Sequence, residues 1–361
     1  MKVSGIVCEY NPFHYGHEYH ITKTRELTQC DVLVCVMSGN FVQRGEPAIV
    51  DKFARAKVAI ENGCDIVIEL PFAYATQSAA YFAKGAIETL KLVKIDTLCF
   101  GSESNDLDYL TEMANLNINI KKTFIDGNSY VKAHELALGR FDANDILGIN
   151  YLKALKNTNI KPLCIQRTNQ YHNKELETNI SSATAIRHAL YDKIDISKAT
   201  RMEIDEPVFL EYAYPTIQLL LTTLPSKYLS ALFLMDEGIE NHLIKQANAP
   251  TFEAFMQGCI TRRYTRSKIQ RTLIHLLNQT SKETMNTLPT LDHVRILAFN
   301  QKGKEYLNSL KKEVKIVSRF NQLPKAYQEM EMKAACVYAS FYPLKKRNEL
   351  IQSVLKAPLC L

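Results

Sequence analysis

The chain has 361 residues, 46% of them hydrophobic and 23% charged, an ordinary globular balance with length enough for two domains. No apolar run reaches the ~20 residues of a membrane span, and Glu9 and a turn interrupt the N-terminal apolar stretch, so a cytoplasmic protein without membrane contact is expected. The nine cysteines are scattered and never spaced C-x-x-C, which argues against a disulfide framework or a cysteine zinc site, and the net charge of +6 is mild.

In chain order, "VSGIVCEY" (3–10) reads as a strand, followed by a helix over 17–29 and a second strand, "DVLVCVMS" (31–38). A helix at 51–62, the strand "DIVIEL" (65–70), a helix at 75–94 and the strand "TLCFGS" (97–102) continue the alternation. A helix near 144–157, the strand "PLCIQR" (162–167) and a helix at 183–191 complete it. The strands are short, continuous and branched, as buried parallel strands are. Strand–helix alternation of these lengths predicts an α/β fold with a doubly wound parallel sheet and right-handed crossovers. Ligands of such sheets lie beyond the carboxyl ends of the strands. After about residue 195 the spacing turns helical, at 207–223, 227–247, 251–259, 265–278, 293–312 and 323–340, with one candidate strand at 312–320. The expected organisation is therefore a nucleotide-binding domain over 1–195 and a mainly α-helical domain over 196–361.

The turn "NPFHYGH" follows the first strand: Pro12 fixes φ, Gly16 permits a close backbone, and a helix starts near His17. His14, Gly16 and His17 thus stand where a helix N-terminus attracts an anion. The spacing of three among His14, His17 and His20 also raises a zinc reading. It needs three convergent imidazoles and a fourth ligand, and no acidic or cysteine partner is evident, so phosphate is favoured and no metal site is expected. A second anion signal is "SSATAIR", in which Ser181, Ser182 and Thr184 open a helix and Arg187 offers a planar fork.

His14-x-Gly16-His17 between strand and helix resembles the signature of the adenylyl-transferring nucleotidyltransferases, and "SSATAIR" is similar to the segment that closes their triphosphate site. Taken with "VMSGNFVQRGEPAIVDKFARAKVAIENGCDIVIELPF", "CFGSES" and "NDILGINYLKAL", the chain resembles the tRNA(Met) cytidine acetate ligase family of bacteria, strongly over about 1–190 and more weakly beyond. The resemblance implies a Rossmann-like nucleotidyltransferase domain that activates acetate with ATP and acetylates N4 of the wobble cytidine of elongator tRNA(Met); Mg²⁺ is expected to accompany the ATP, with no dedicated carboxylate cage for it in the sequence. It implies catalytic roles for His14, His17 and Arg187. It implies ATP contacts from the loop Val7, Cys8, Glu9, Tyr10, Asn11, Pro12, Phe13, His14, Tyr15, Gly16, His17, Glu18, Tyr19 and His20, and from Gly101, Asn144, Arg167, Ser181, Ser182 and Thr184. Asn144 can alternatively cap its helix, with Asn150 nearby.

Other candidates carry weaker signals. Asn40, Gln43 and Arg44 stand in the loop after the second strand and can meet acetate or cytidine, or only order that loop; Asp51 reads as a helix cap, and Lys23, Arg55 and Lys57 as solvated charges. Residues 251–312 hold eleven Lys and Arg against four Asp and Glu, which suggests a polyanion partner. In "TRRYTRSKIQR" the cations Arg262, Arg263, Arg266, Lys268 and Arg271 are expected to meet tRNA phosphates and Tyr264 to stack on an unpaired base, with 300–312 a lesser candidate. The alternative functions are adenylyl transfer to a small phosphorylated cofactor precursor and non-catalytic RNA binding.

Overall fold

A computed structural model describes residues 1–116, 141–167 and 182–361. Its centre is an eight-stranded sheet in the order β5-β4-β1-β2-β3-β6-β7, with β8 also pairing with β6. The strands are β1 (Val3–Cys8), β2 (Val32–Ser38), β3 (Ile66–Leu70), β4 (Thr97–Ser102), β5 (Lys161–Gln166), β6 (His293–Phe299), β7 (Lys315–Val317) and β8 (Leu359–Cys360). The first five run parallel, and β1 and β2 are continuous apolar runs because helices cover both faces. The chain leaves β1 for β2 and β3 on one side and returns to β4 and β5 on the other. Between β1 and β4 the order reverses, which opens a crevice at their carboxyl ends.

The helices of this part of the chain are α1 (Tyr15–Thr28), α2 (Lys52–Glu61), α3 (Phe72–Ala75), α4 (Ala79–Leu92), α5 (Leu107–Asn115), α6 (Ala143–Leu155) and α7 (Ala183–Tyr191), of which α1, α4, α6 and α7 border the crevice. Asp51 starts α2 by accepting from the Phe53 and Ala54 N–H groups, as the sequence suggests. Close packing of helix on sheet requires Gly5, whose Cβ would lie 2.7 Å from Leu90 and Ile95 side-chain atoms. Two apolar clusters sandwich the sheet, one holding Val34, Ile68 and Leu90, the other Ile6, Leu33 and Val67.

A helical layer follows: α8 (Tyr214–Thr223), α9 (Ser226–Ala231), α10 (Ile239–Gln246), α11 (Phe252–Cys259), α12 (Arg266–Leu277) and α13 (Lys282–Asn286). It is fastened to the loops at the strand ends. Phe41 and Phe72 enter its core, and buried His275 meets the Thr76 carbonyl at 3.1 Å. Two expectations change here. The helix expected over 227–247 is broken between α9 and α10, where Leu234, Glu237 and Gly238 take positive φ. The helix expected over 293–312 is strand β6 followed by α14 (Gln301–Leu310), because "HVRILAF" is a buried run whose apolar spacing fits either state.

β6 lies antiparallel against β3 with Glu69 opposite Arg295. The sheet therefore draws on residues beyond 195; of the last two helices, α15 (Lys325–Ala339) accepts the Phe72 N–H on Glu331 at 2.7 Å, and α16 (Leu344–Leu355) accepts from Arg295 of β6 on the Val354 carbonyl at 2.8 Å. Among the described residues, no helix is long and apolar enough to cross a membrane.

Candidate active site

The loop between β1 and α1 is built around two stacked imidazoles. His14 is the N-cap of α1: its Nδ1 accepts the Gly16 N–H at 3.0 Å, while its own N–H donates to His17 Nδ1 at 3.2 Å. The rings lie 3.7 Å apart, 29° from parallel, and the edge of Tyr10 supports His17 at 4.8 Å. Because each Nδ1 accepts from a backbone N–H, a neutral ring must carry its proton on Nε2. Burial, reinforced by the positive Arg167 and Arg187, pushes His14 down to about 3; burial and the neighbouring His14 push His17 well below its ordinary value. Two neutral rings are thus held as Nε2–H donors. His20, one turn on, is pushed down to about 4 by burial, and its Nε2 has no hydrogen-bond partner among the described residues.

The β4 side supplies a second wall. At Gly101 a Cβ would stand 3.3 Å from Arg167 Cγ, so the glycine leaves room beside that arginine. The Asn144 Nδ2 donates to Glu103 Oε1 at 2.5 Å, the Asp145 N–H donates to Glu103 Oε2 at 3.0 Å, and Arg167 Nε lies 3.7 Å from Glu103 Oε1. Asp145 returns the interaction by accepting from Ser102 Oγ and from the Glu103 and Ser104 N–H groups. One carboxylate therefore orients both Asn144 and Arg167. Asn144 does not cap its helix, whose N-cap is Asp142, and the Asn150 amide is turned back onto the Ile146 carbonyl.

The third wall is α7 and the loop 39–51. Ser182 Oγ caps α7 through the Ala185 N–H at 3.1 Å. Arg187 donates from Nη1 to the Asn11 carbonyl at 2.9 Å and from Nη2 to Thr184 Oγ1 at 3.3 Å, with Glu46 Oε2 at 3.6 Å from its Nε. Arg55, expected to be solvated, is instead fully buried and donates to the carbonyls of Glu9, Ser38, Gly39 and Val50, tying the ends of β1 and β2 together. Lys57 is exposed and lies 3.7 Å from Glu61, and Lys23 pairs with Glu26 on the surface of α1.

These walls enclose a cavity of about 210 Å³. Of the residues proposed from sequence, Val7, Cys8, Glu9, Tyr10, Asn11, His14, Gly16, His17, Tyr19 and His20 line it, with Gly101, Asn144, Arg167, Ser182, Thr184 and Arg187. Pro12, Phe13, Tyr15 and Glu18 do not: Phe13 packs under Tyr10, while Tyr15 and Glu18 face Arg201. Ser181 lies outside the described residues. Sequence reasoning missed Glu103, which stands behind Asn144 and Arg167, and among the lining residues Glu46 and the apolar wall of Phe82, Phe100, Leu147 and Tyr151. Only the turn "GSES" after a strand signals Glu103; the others carry no local motif. Among the described residues no group of three or more His, Cys, Asp or Glu is placed to hold a metal ion.

The basic stretch 261–271 is more engaged than its composition suggests. Arg266 makes a two-point pair with Glu253 (3.0 and 2.6 Å), Arg263 lies 3.7 Å from Glu237 and Lys268 3.9 Å from Asp236. Arg262 is exposed. Tyr264 is 9% exposed and its hydroxyl donates to the Glu237 carbonyl, so its ring is packed in the helical core rather than presented for stacking. Arg271 reaches the loop beside the cavity, donating to the Gln43 carbonyl at 3.2 Å. Segment 300–312 lies at the other end of the sheet: Asn300 bonds Asp65, just before β3, and Tyr306 bonds the Val93 carbonyl, just before β4.

Residues 1–353 match the profile of the HIGH nucleotidyl transferases, the class that this sheet and its stacked histidines define. A protein named tRNA(Met) cytidine acetate ligase from Caldicellulosiruptor bescii is 38% identical over 394 aligned residues, covering 99% of this chain and 98% of that one. Its namesake from Caldicellulosiruptor saccharolyticus is 39% identical over 393 residues, with the same coverage. Among solved structures, apo Thermotoga maritima TmcAL matches the whole of both chains with a TM-score of 0.92 at 30% identity. The same protein bound with alpha-thio ATP matches at 0.88 and 31%. The chain belongs to the tRNA(Met) cytidine acetate ligase family.

Proposed function

We propose that the protein is an ATP-dependent acetate ligase that forms N4-acetylcytidine at the wobble position of elongator tRNA(Met). The observation that carries this reading is the pair of stacked, neutral imidazoles whose Nε2–H groups face a cavity shared with Arg187 and Arg167. In the first half-reaction an acetate oxygen attacks the α-phosphorus of ATP, forming acetyl-adenylate and expelling pyrophosphate. His14, His17 and Arg187 stabilise the charge that develops on the phosphates by fixed hydrogen bonds and electrostatics. In the second, the cytidine N4 attacks the acetyl carbonyl and AMP leaves.

Asn144, Gly101 and Arg167 form the nucleoside side of this site, and the loop carrying Gln43 and Arg44 the acceptor side. Mg²⁺ would accompany the nucleotide in this reading and would neutralise phosphate charge; among the described residues no group of three or more acidic, His or Cys side chains is placed to hold it. For tRNA we retain Arg262, Arg263, Arg266, Lys268 and Arg271 on the helical layer of 196–361, which is joined to the cavity through Arg271. Their exposed ion pairs are worth only about 0–1 kcal/mol each, so exchange of a carboxylate for an RNA phosphate costs little. The cytoplasm, where tRNA and ATP are found, is the matching location.

The test is acetate-dependent exchange of labelled pyrophosphate into ATP. The reading requires exchange with acetate present and none with a phosphorylated cofactor precursor in its place. Turnover of such a precursor without acetate would favour the small-substrate adenylyltransferase reading, and no exchange at all would favour simple RNA binding.

A further inference from the structure

Acyl transfer to an amine releases a proton, and the groups arrayed around the phosphates do not accept one. His14 and His17 hold their protons on Nε2 and spend Nδ1 on backbone N–H groups. Among the described residues two carboxylates line the cavity, Glu9 and Glu46. Glu46 is committed on both oxygens, to the Gln270 amide at 3.1 Å and to Arg187 at 3.6 Å. Glu9 is not. Its Oε1 is fixed by the Gln43 N–H at 2.6 Å, with Ser38 Oγ at 3.5 Å, while its Oε2 has no hydrogen-bond partner among the described residues.

We propose that Glu9 is the general base of acyl transfer, its Oε2 receiving the proton of the cytidine N4 amine. The proposal rests on the acetyl-adenylate reading above. The N4–C bond forms, the bond from the acetyl carbon to the AMP phosphate oxygen breaks, and AMP leaves with the electron pair. One N4 proton passes to Oε2 and from there to water. The same oxygen helps to select the base, because a carboxylate accepts from the exocyclic amine of cytosine but repels the O4 of uracil.

The groups facing Glu9 are Arg44 from its loop, Arg187 from α7, Arg55 from α2 and Tyr151 from α6. Burial outweighs the three cations and raises the carboxyl above its ordinary value, which strengthens it as a base.

The experiment is single-turnover acetylation of elongator tRNA(Met) by the Glu9→Gln and Glu9→Asp variants as a function of pH, with hydroxylamine capture of the acetyl group in parallel. Hydroxylamine attacks an acyl phosphate without a catalytic base. For E9Q, transfer to tRNA should fall about 100-fold or more, with the acidic limb of the pH profile lost, while capture by hydroxylamine falls far less; E9D should recover part of the rate and the limb. Equal loss of capture and transfer in E9Q would overturn the proposal by assigning Glu9 to ATP activation. So would loss of the acidic limb in His20→Gln with E9Q unaffected. Absence of acetate-dependent capture in the unmodified protein would overturn the underlying acetyl-adenylate reading instead.

Discussion

At the scale of single residues, the site works through hydrogen-bond direction. The Gly16 N–H fixes the His14 tautomer and the His14 N–H fixes that of His17, so both rings present donors without needing a positive charge. Removing one such preorganised donor costs about 10²–10³ in rate in comparable sites, so His17→Ala should lower the rate of acetate-dependent pyrophosphate exchange by that order. Steady-state exchange assays check this. Glu103 acts through its neighbours. Glu103→Gln keeps the shape but weakens a charged hydrogen bond of about 1.5–3 kcal/mol, and it should raise the KM for ATP roughly tenfold while kcat changes little. A kcat loss with unchanged KM would contradict a positioning role. The sequence made His14, Gly16, His17 and Arg187 legible because turn chemistry and helix starts are local. Glu103 was not legible, since its role arises only where β4, α6 and Arg167 converge.

Among the elements, the loop 39–51 joins catalytic sheet to helical layer. Gly45 sits at φ +81°, where a Cβ would come within 2.2 Å of the Arg271 backbone nitrogen on α12. Gly45→Ala must therefore move loop or helix, at a cost of about 1–3 kcal/mol for such strain. Acetyl transfer to tRNA should fall by more than pyrophosphate exchange, because Gln43 and Arg44 are carried by this loop; equal losses in the two assays would refute the division. Here the sequence was readable for strands with helices between them and unreadable at β6. A seven-residue buried run offers no period to separate strand from helix, and its pairing partner β3 is more than 220 residues away. Tyr264 departs from the sequence expectation for a related reason. Its cationic neighbours mark a surface, but its ring turns inward to the core formed by α10, α11 and α12.

For the molecule as a whole, burial of histidines couples folding to pH. His14, His20 and His275 are held at about 3, 4 and 4 against an ordinary value near 6.5. Lowered values mean that the unfolded chain binds protons the folded one refuses. Stability is therefore complete above about pH 6.5 and falls as the pH drops toward 4, by about 1.4 kcal/mol per pH unit for each group at the limit. Glu331, raised to about 7, and Glu9, also raised, work in the opposite sense, because the folded protein takes up their protons first; they offset part of the histidine effect, to which the lowered His17 adds. The net expectation is a thermal midpoint that drops between pH 6.5 and 4.5, measurable by calorimetry, and a flat or rising midpoint over that interval would contradict it.

The most direct test of the central claim is transfer of labelled acetate, with ATP, to an elongator tRNA(Met) transcript and to the same transcript carrying uridine at the wobble position. Label should appear on the first, at N4 of the wobble cytidine, and be absent from the second. Equal labelling of both transcripts, or of neither while ATP is consumed on a small phosphorylated acceptor, would contradict the account.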